Sequence, residues 1–342
     1  MRLLVTGGAG YVGSIVAARL LDAGHEVTVL DDLSKGHEEA LPEGARLVQC
    51  DLLERGRLER VVSDGGFDGV LHFAARSLVG ESVERPEAYY RTNVTGSLNL
   101  LEAMILAGVR RLVFSSTAAV YGEPAPELVP IHEDCPEIPT NPYGATKLAV
   151  DRMIYDLSAA HGMASTSLRY FNVAGASSDG VFGEDHEPET HLIPLVLQTA
   201  LGRRERVEIY GTDYPTDLCP DGTAVRDYIH VEDLARAHVL ALESPGGAES
   251  GEHRVYNLGN GSGFSVRQVI EEARRVTGEE IPAAESPRRA GDPPVLVASS
   301  ERIHAELGWR PEKPRLQDMI SDAWSWFRLH PGGYPDRGGG ES

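Results

Sequence analysis

The sequence predicts a doubly wound α/β fold, a parallel sheet with helices on both faces, plus a smaller and discontinuous lobe in the C-terminal half. Three observations carry this. Short apolar runs alternate with helix-period stretches from the first residues onward, the pattern of βαβ crossovers. A glycine-rich turn separates the first such strand from the first such helix. Beyond about residue 175 the chain becomes polar and turn-rich, then returns to apolar runs near residues 226–262.

The elements follow in order. Leu3-Leu4-Val5 is the first strand, "TGGAGYVG" the turn, and "SIVAARLLDAG" a helix that stops at Gly24, a C′ position. "HEVTVLDD" is the second strand and closes on Asp31 and Asp32. "ARLVQCD", "DGVLHFAA" and "RRLVFSST" are further strands. "NVTGSLNLLEAMILAGV" is a helix with Asn93 placed as its N-cap. "TNPYGATKLAVDRMIYDLSAAHG" is another, capped by Asn141, with Pro142 in the first position and Gly162 past its end. "STSLRYFNVAG" reads as one more strand. Residues 1–175 with the returning segments near 226–262 then form the sheet domain, 176–330 mainly the second lobe, and 331–342 a tail expected to fray.

The 342 residues suffice for about two lobes with a substantial core. Lys and Arg number 32 against 52 Asp and Glu, a net charge of −20. Such a balance argues against nucleic acid and against anionic membranes as partners. No apolar run is long enough for a membrane span, and the glycine turn comes too early for a secretory signal. Cys50, Cys135 and Cys219 are odd in number and lack metal-type spacing, which argues against a disulfide framework and for a reducing, cytoplasmic setting.

The chemistry starts at the turn. Gly8-Ala9-Gly10-Tyr11-Val12-Gly13 fits G-x-G-x-x-G, and Gly7, Gly10 and Gly13 fit a G-x-x-G-x-x-G register. Small residues let the backbone approach a pyrophosphate, and the following helix offers free N–H groups and a positive dipole end. Asp31, ending the next strand, suits the two adenosine-ribose hydroxyls and would repel a 2′-phosphate, so NAD is expected rather than NADP. Asp51 is a candidate for the adenine amine, and Phe73 and Ala74, also at a strand end, for packing along the cofactor. Tyr143 and Lys147 are four apart and share a helix face. An ammonium beside a phenol favours the phenolate, so Tyr143 is expected to titrate below its ordinary value and act as a base on a sugar hydroxyl. The preceding strand ends in the hydroxyls Ser115, Ser116 and Thr117. "EDHEPETH", with Glu184, Asp185, His186 and His191, lacks H-x-x-x-H spacing and a helical frame, so it reads as a solvated acidic loop and no metal is expected.

Set side by side, "VTGGAGYVGS", "HFAARSLVGESV", "FSSTAAVYGE", "NPYGATK", "LRYFNVAGA", "DGTAVRDYIHVEDLA", "VYNLGNG" and "RRAGD" cover nearly the whole chain. On these pieces it resembles the extended short-chain dehydrogenase/reductase family, a Rossmann-fold family, and within it the UDP-glucose 4-epimerase branch. The resemblance implies NAD-dependent, reversible C4 epimerisation of UDP-glucose and UDP-galactose through a 4-keto intermediate. It makes Tyr143 the base, Lys147 its modulator and ribose anchor, and Thr117 the partner of the sugar 4-hydroxyl. For the cofactor it adds Asp32, Leu33, Leu52, Asn93, Ser115 and Phe171 to the glycine turn, Asp31, Asp51, Phe73 and Ala74. For the UDP-sugar it implies Asn172, Arg226 and Arg289 at the diphosphate, His191 and Leu192 at the diphosphate and sugar, Asp292 at the uridine ribose and Tyr210 on uracil. The residue-level alternatives are an Arg226 ion pair with Asp227 or Asp233, a solvated Arg289 and a core Tyr210. Where some relatives carry a pyrophosphate lysine this chain has Ser77, with Arg76 beside it as the candidate replacement charge. Leu296 stands where side-chain bulk limits the sugar 2-substituent, so UDP-N-acetyl sugars are also expected to fit. A homodimer is implied through the helices containing residues 93–108 and 143–161.

Three other functions compete with this one. A nucleotide-sugar 4,6-dehydratase needs an Asp-Glu pair after the strand-end threonine, where this chain has Ala118-Ala119. An epimerase for a UDP-uronic acid or UDP-pentose stays open. A non-catalytic NAD-binding regulator would be expected to lack Tyr143 or Lys147, and both are present.

Overall fold

The structure is a computed structural model and describes residues 1–244, 251–289 and 293–335. In chain order the strands are β1 (Arg2–Thr6), β2 (Glu26–Asp31), β3 (Arg46–Gln49), β4 (Gly69–His72), β5 (Arg111–Thr117), β6 (Ala164–Tyr170), β7 (Asn172–Ala174), β8 (Val207–Tyr210), β9 (Val225–His230), β10 (His253–Leu258), β11 (Gly263–Ser265), β12 (Ala283–Ser286) and β13 (Val295–Leu296). The α-helices are α1 (Tyr11–Asp22), α2 (Arg55–Gly65), α3 (Val79–Glu84), α4 (Pro86–Tyr89), α5 (Gly96–Ala107), α6 (Pro142–His161), α7 (Leu192–Ala200), α8 (Val231–Glu243), α9 (Val266–Thr277), α10 (Glu301–Leu307) and α11 (Leu316–Leu329).

Seven strands form one sheet in the order β10-β6-β5-β4-β1-β2-β3, and every pair is parallel. Leu3 to Val5, Val70, Leu71, Leu112 and Val113 are buried, because a parallel sheet covered on both faces needs unbroken apolar strands. On one face lie α1 and α8, packed through Ile15, Val16, Leu20, Leu234 and Leu242. The other face carries α2, α5 and α6, through Leu58, Val62, Leu101, Met104, Val150 and Ile154. β1 lies between β2 and β4, so the strand order reverses there and a crevice opens at the carboxyl ends.

The smaller lobe has two sheets. β7, β11 and β13 all pair with β9, and β8 pairs with β12. Behind them α7, α9 and α11 share a core that includes Ile193, Val196, Ile270, Met319 and Trp326. Trp326 is 1% exposed, edge-on to Phe327 and stacked on His330. Replacing it with alanine is expected to cost about 3–5 kcal/mol, measured as a fall in the denaturation midpoint; no fall would mean the lobe does not rest on this packing.

Four local expectations change. "STSLRYFNVAG" is two strands, not one. β6 ends at Tyr170 in the large sheet and β7 begins at Asn172 in the small one, with Phe171 as the crossing point. Both pieces are extended, so local pattern does not mark the switch of sheet. β9 likewise belongs to the small sheet, although α8 and β10 after it return to the large domain. Asn93 is not an N-cap, because a π-helical turn, Tyr90–Thr95, joins α4 to α5 and Asn93 lies buried within it. Residues 331–335 do not fray: Tyr334 is buried, stacks on His37 and donates its N–H to Asp185. Residues 336–342 lie outside the described residues. All three cysteines are free and buried. Among the described residues no helix is long and apolar enough to cross a membrane.

Candidate active site

The crevice is a cleft of about 960 Å3 that runs from the glycine turn to the smaller lobe. Its nucleotide end is shaped by missing side chains. Gly7 has φ +72°, and a Cβ there would stand 2.5 Å from the Ala74 nitrogen. At Gly13 it would stand 2.2 Å from the Gly7 carbonyl oxygen. These two glycines close the turn onto itself. Gly10 does the opposite: it precedes α1 and a Cβ would meet only the Gly7 oxygen, at 3.5 Å. The space beside it, in front of the first N–H groups of α1, fits a pyrophosphate.

Asp31 is buried at the end of β2. One oxygen accepts the Ala9 N–H at 3.0 Å and the other the Leu33 N–H at 2.9 Å. Burial pushes its carboxyl up, and those backbone N–H groups pull it back. The carboxylate is therefore locked against the glycine turn while lining the cleft. Leu33 itself, at φ +60°, acts through its backbone and is not in the lining. Tyr11, Val12, Asp32, Asp51, Leu52, Phe73 and Ala74 are. The residues of this end fit NAD.

At the reactive end α6 begins on Asn141, whose side chain accepts the Gly144 N–H at 2.9 Å, with Pro142 in the first turn. That start places Tyr143 and Lys147 on the cleft. The Lys147 Nζ donates to the Ser115 carbonyl at 2.8 Å and lies over the Phe114 ring. Burial pushes Lys147 down to about 8, while Asp151, one turn on, pulls it back. Ser115 and Thr117 line the cleft, as alternation along β5 requires, whereas Ser116 donates to Asp151. Thr117 pulls the Tyr143 hydroxyl down, but burial outweighs it and holds the group above an ordinary phenol. This corrects the expected lowering, since the lysine ammonium is engaged by a carbonyl rather than by the phenol.

Asn93 is not in the lining but braces it. Its Oδ1 accepts the Arg76 N–H at 2.8 Å, and its Nδ2 donates to the Arg76 carbonyl and to Thr146 Oγ1. It thereby ties the loop after β4 to α6 beside Lys147. Arg76 lies on the cleft next to Ser77, but its guanidinium is 3.2 Å from Glu81.

Phe171, Asn172, His191, Arg226 and Leu296 bring the smaller lobe to the same cleft. Arg226 donates to the Val225 carbonyl, while Asp227 accepts N–H groups of Asn260, Gly261 and Ala298, and Asp233 pairs with Arg236. Asp227 and Asp233, the alternative Arg226 partners, are thus engaged by other groups. Leu192, Tyr210 and Arg289 are not in the lining, and the Arg289 guanidinium lies 3.9 Å from the Tyr210 ring centre. Asp292 lies outside the described residues. "EDHEPETH" is not a solvated loop: Glu184 is buried and the Glu189 side chain is 5% exposed. Sequence reasoning also missed Tyr170, which lines the cleft and shares a hydrogen bond with Ser115, and Lys35, whose Nζ donates to the Glu187 carbonyl. Tyr170 adjoins Phe171 and Asn172 in sequence, which is a local signal; the Lys35 contact joins residues 152 apart and leaves none.

A dinucleotide cradle, a Tyr-x-x-x-Lys pair and a strand-end threonine on one cleft define an enzyme of the short-chain dehydrogenase/reductase type. The chain belongs to the NAD-dependent epimerase/dehydratase family, whose model matches residues 3–259. It is 60% identical, over 95% of each chain, to a UDP-glucose 4-epimerase of Corynebacterium glutamicum. It is 57% identical to one of Streptomyces lividans, over 98% of this chain and 99% of the relative. The crystal structure of a UDP-glucose 4-epimerase from Bifidobacterium longum in complex with NAD+ and UDP superimposes with a TM-score of 0.91 at 37% identity, covering 98% of this chain and all of that one.

Proposed function

We propose that the protein is an NAD-dependent UDP-glucose 4-epimerase that interconverts UDP-glucose and UDP-galactose. The observation that carries the reading is the convergence of Tyr143, Lys147 and Thr117 with Asn172, His191 and Arg226 on the cleft that also holds the glycine turn and Asp31. Full-length likeness to enzymes of that name supports it.

Gly10, Asp31, Asp51 and Lys147 hold NAD. When bound, it supplies a reversible hydride acceptor for C4 of the sugar and a positive charge. Tyr143 takes the 4-hydroxyl proton, with Thr117 beside it on the cleft in the proton path. Tyr143 rests above an ordinary phenol, so the charge of bound NAD together with the Lys147 ammonium, one turn on and held near Ser115, is assigned the field that favours the phenolate during the reaction. Arg226 grips the diphosphate, while the keto sugar stays loosely held and turns its other face before Tyr143 returns the proton. Uniform grip on the sugar would oppose that turn. Elimination of water is disfavoured because Ala118 and Ala119 follow Thr117, without a carboxylate.

The test is conversion of UDP-galactose, deuterated at C4, by purified protein without added cofactor. The label is expected to remain at C4 of UDP-glucose. Loss of label to solvent, or a stoichiometric demand for reductant, would falsify the reading.

Leu296, partly buried on the cleft, leaves more room than an aromatic side chain, so UDP-N-acetylglucosamine is expected to turn over as well. Its failure to react at enzyme levels that readily convert UDP-glucose would reject this. Tyr210 is assigned to uracil, Asp292 to the uridine ribose, and Arg289 to the diphosphate with Arg226. The exposed Tyr90, Leu98, Leu106 and Tyr155 support a homodimer through the helices of residues 93–108 and 143–161. Sedimentation is expected to give twice the chain mass, and a monomer at micromolar concentration would refute it. The three buried thiols suit a reducing, cytoplasmic setting.

A further inference from the structure

His191 is the residue from which α7 starts, and it lines the cleft with its side chain 48% exposed. Its Nδ1 is 2.6 Å from Glu184 Oε1 and 3.4 Å from Glu189 Oε1, and its backbone N–H donates to Glu189 at 2.8 Å. Both glutamate side chains are 5% exposed. Among the described residues their ion-pair partners are His186 and His191. The four donor groups lie within 4.8 Å of one another. One pair, His191 and Glu184 at 2.6 Å, is closer than two ligands of one metal ion stand. Ligands about 2.0–2.1 Å from one tetrahedral ion stand about 3.3 Å apart. The 2.6 Å contact is instead that of a charge-assisted hydrogen bond with a proton between nitrogen and oxygen.

Resting on the reading of the cleft as a sugar-nucleotide site, we propose that Glu184 and Glu189 hold His191 as an imidazolium facing the substrate diphosphate, which makes the two glutamates positioning residues for binding. Burial alone would lower the His191 pKa, but the two carboxylates outweigh it and hold the ring charged well above the ordinary imidazole range. His191 and His186 likewise hold Glu184 below the ordinary carboxylate range against the upward pull of burial. The other groups around the ring are His186 on its own loop, with Nδ1 3.1 Å from the same Glu184 oxygen, Tyr11 from α1, edge-on to His186, and Arg226 from β9 of the same lobe, which lines the same cleft. The device works by fixing charge: a histidine with an ordinary pKa near 6.5 would be mostly neutral at neutral pH, whereas this one meets the diphosphate as a cation.

The test uses the NAD-loaded Tyr143→Phe enzyme, which is expected to bind without turnover, and UDP-glucose, whose two phosphates do not titrate near neutrality. Its affinity is expected to stay level between about pH 6 and pH 8. Adding Glu184→Gln and Glu189→Gln is expected to leave binding near normal at the acid end and to weaken it about tenfold by the alkaline end. Adding His191→Asn instead gives weak binding that does not vary with pH. Nitrogen NMR of the histidine rings, assigned through His191→Asn, reads the same charge without ligand and covers the case in which the glutamine variant misfolds. A neutral His191 ring at pH 7, or an unchanged pH profile in the glutamine variant, overturns the proposal. Absence of UDP-glucose binding at every pH, with the ring still charged, would instead overturn the substrate assignment.

Discussion

Tyr143→Phe is expected to lower turnover by about 100- to 10,000-fold, the usual loss for a positioned acid–base group. UDP-sugar binding and NAD content should persist. The Tyr143 ring is half-buried beside Thr117, and removing its hydroxyl leaves the ring in place. The proposed binding contacts lie elsewhere on the cleft, at Asn172, His191 and Arg226. The measurement is a pair: kcat for UDP-galactose, and affinity for UDP-glucose by calorimetry. Near-normal kcat would show that another group carries the proton. A loss of affinity as large as the loss of kcat would show that the hydroxyl holds the ground state rather than the transition state.

Lys147→Met is expected to be the second largest effect, a loss of roughly 100-fold or more in the rate of NAD reduction under single-turnover conditions. Two contributions vanish together: the buried ammonium, and its 2.8 Å bond to the Ser115 carbonyl. The sign with pH follows from burial, which lowers the Lys147 pKa to about 8. Below that value the lysine is charged and, in its proposed role, favours the Tyr143 phenolate; above it the charge is lost. The wild-type rate should therefore contain a limb near pH 8 that the methionine variant lacks. A profile of unchanged shape would remove the electrostatic role and leave Lys147 as a scaffold for Ser115 and the cofactor.

Much of the site was legible because its signals are local. Gly7, Gly10 and Gly13 stand three apart, and Tyr143 and Lys147 one helical turn apart. Asn141 and Pro142 mark the start of α6 that sets both. Asp31, Asp51 and Phe73 could be placed because residues just past parallel strands reach the crevice. The Tyr143 pKa was not legible in the same way. Spacing shows that a phenol and an ammonium share a helix face; it does not show that the ammonium bonds a carbonyl of β5.

By itself, then, the chain's pattern determined the parallel sheet, the glycine cradle and the Tyr-x-x-x-Lys face, since each depends on periodicity or on backbone conformations that neighbouring residues impose. Tertiary structure alone decided the rest. It sent β6 and β7 into different sheets at Phe171, turned Asn93 from a helix start into a brace between Arg76 and Thr146, and brought Glu184 within 2.6 Å of His191. Those outcomes depend on which distant groups compete for one buried hydrogen bond or charge. Desolvation settles that competition only once the surrounding elements have closed around it.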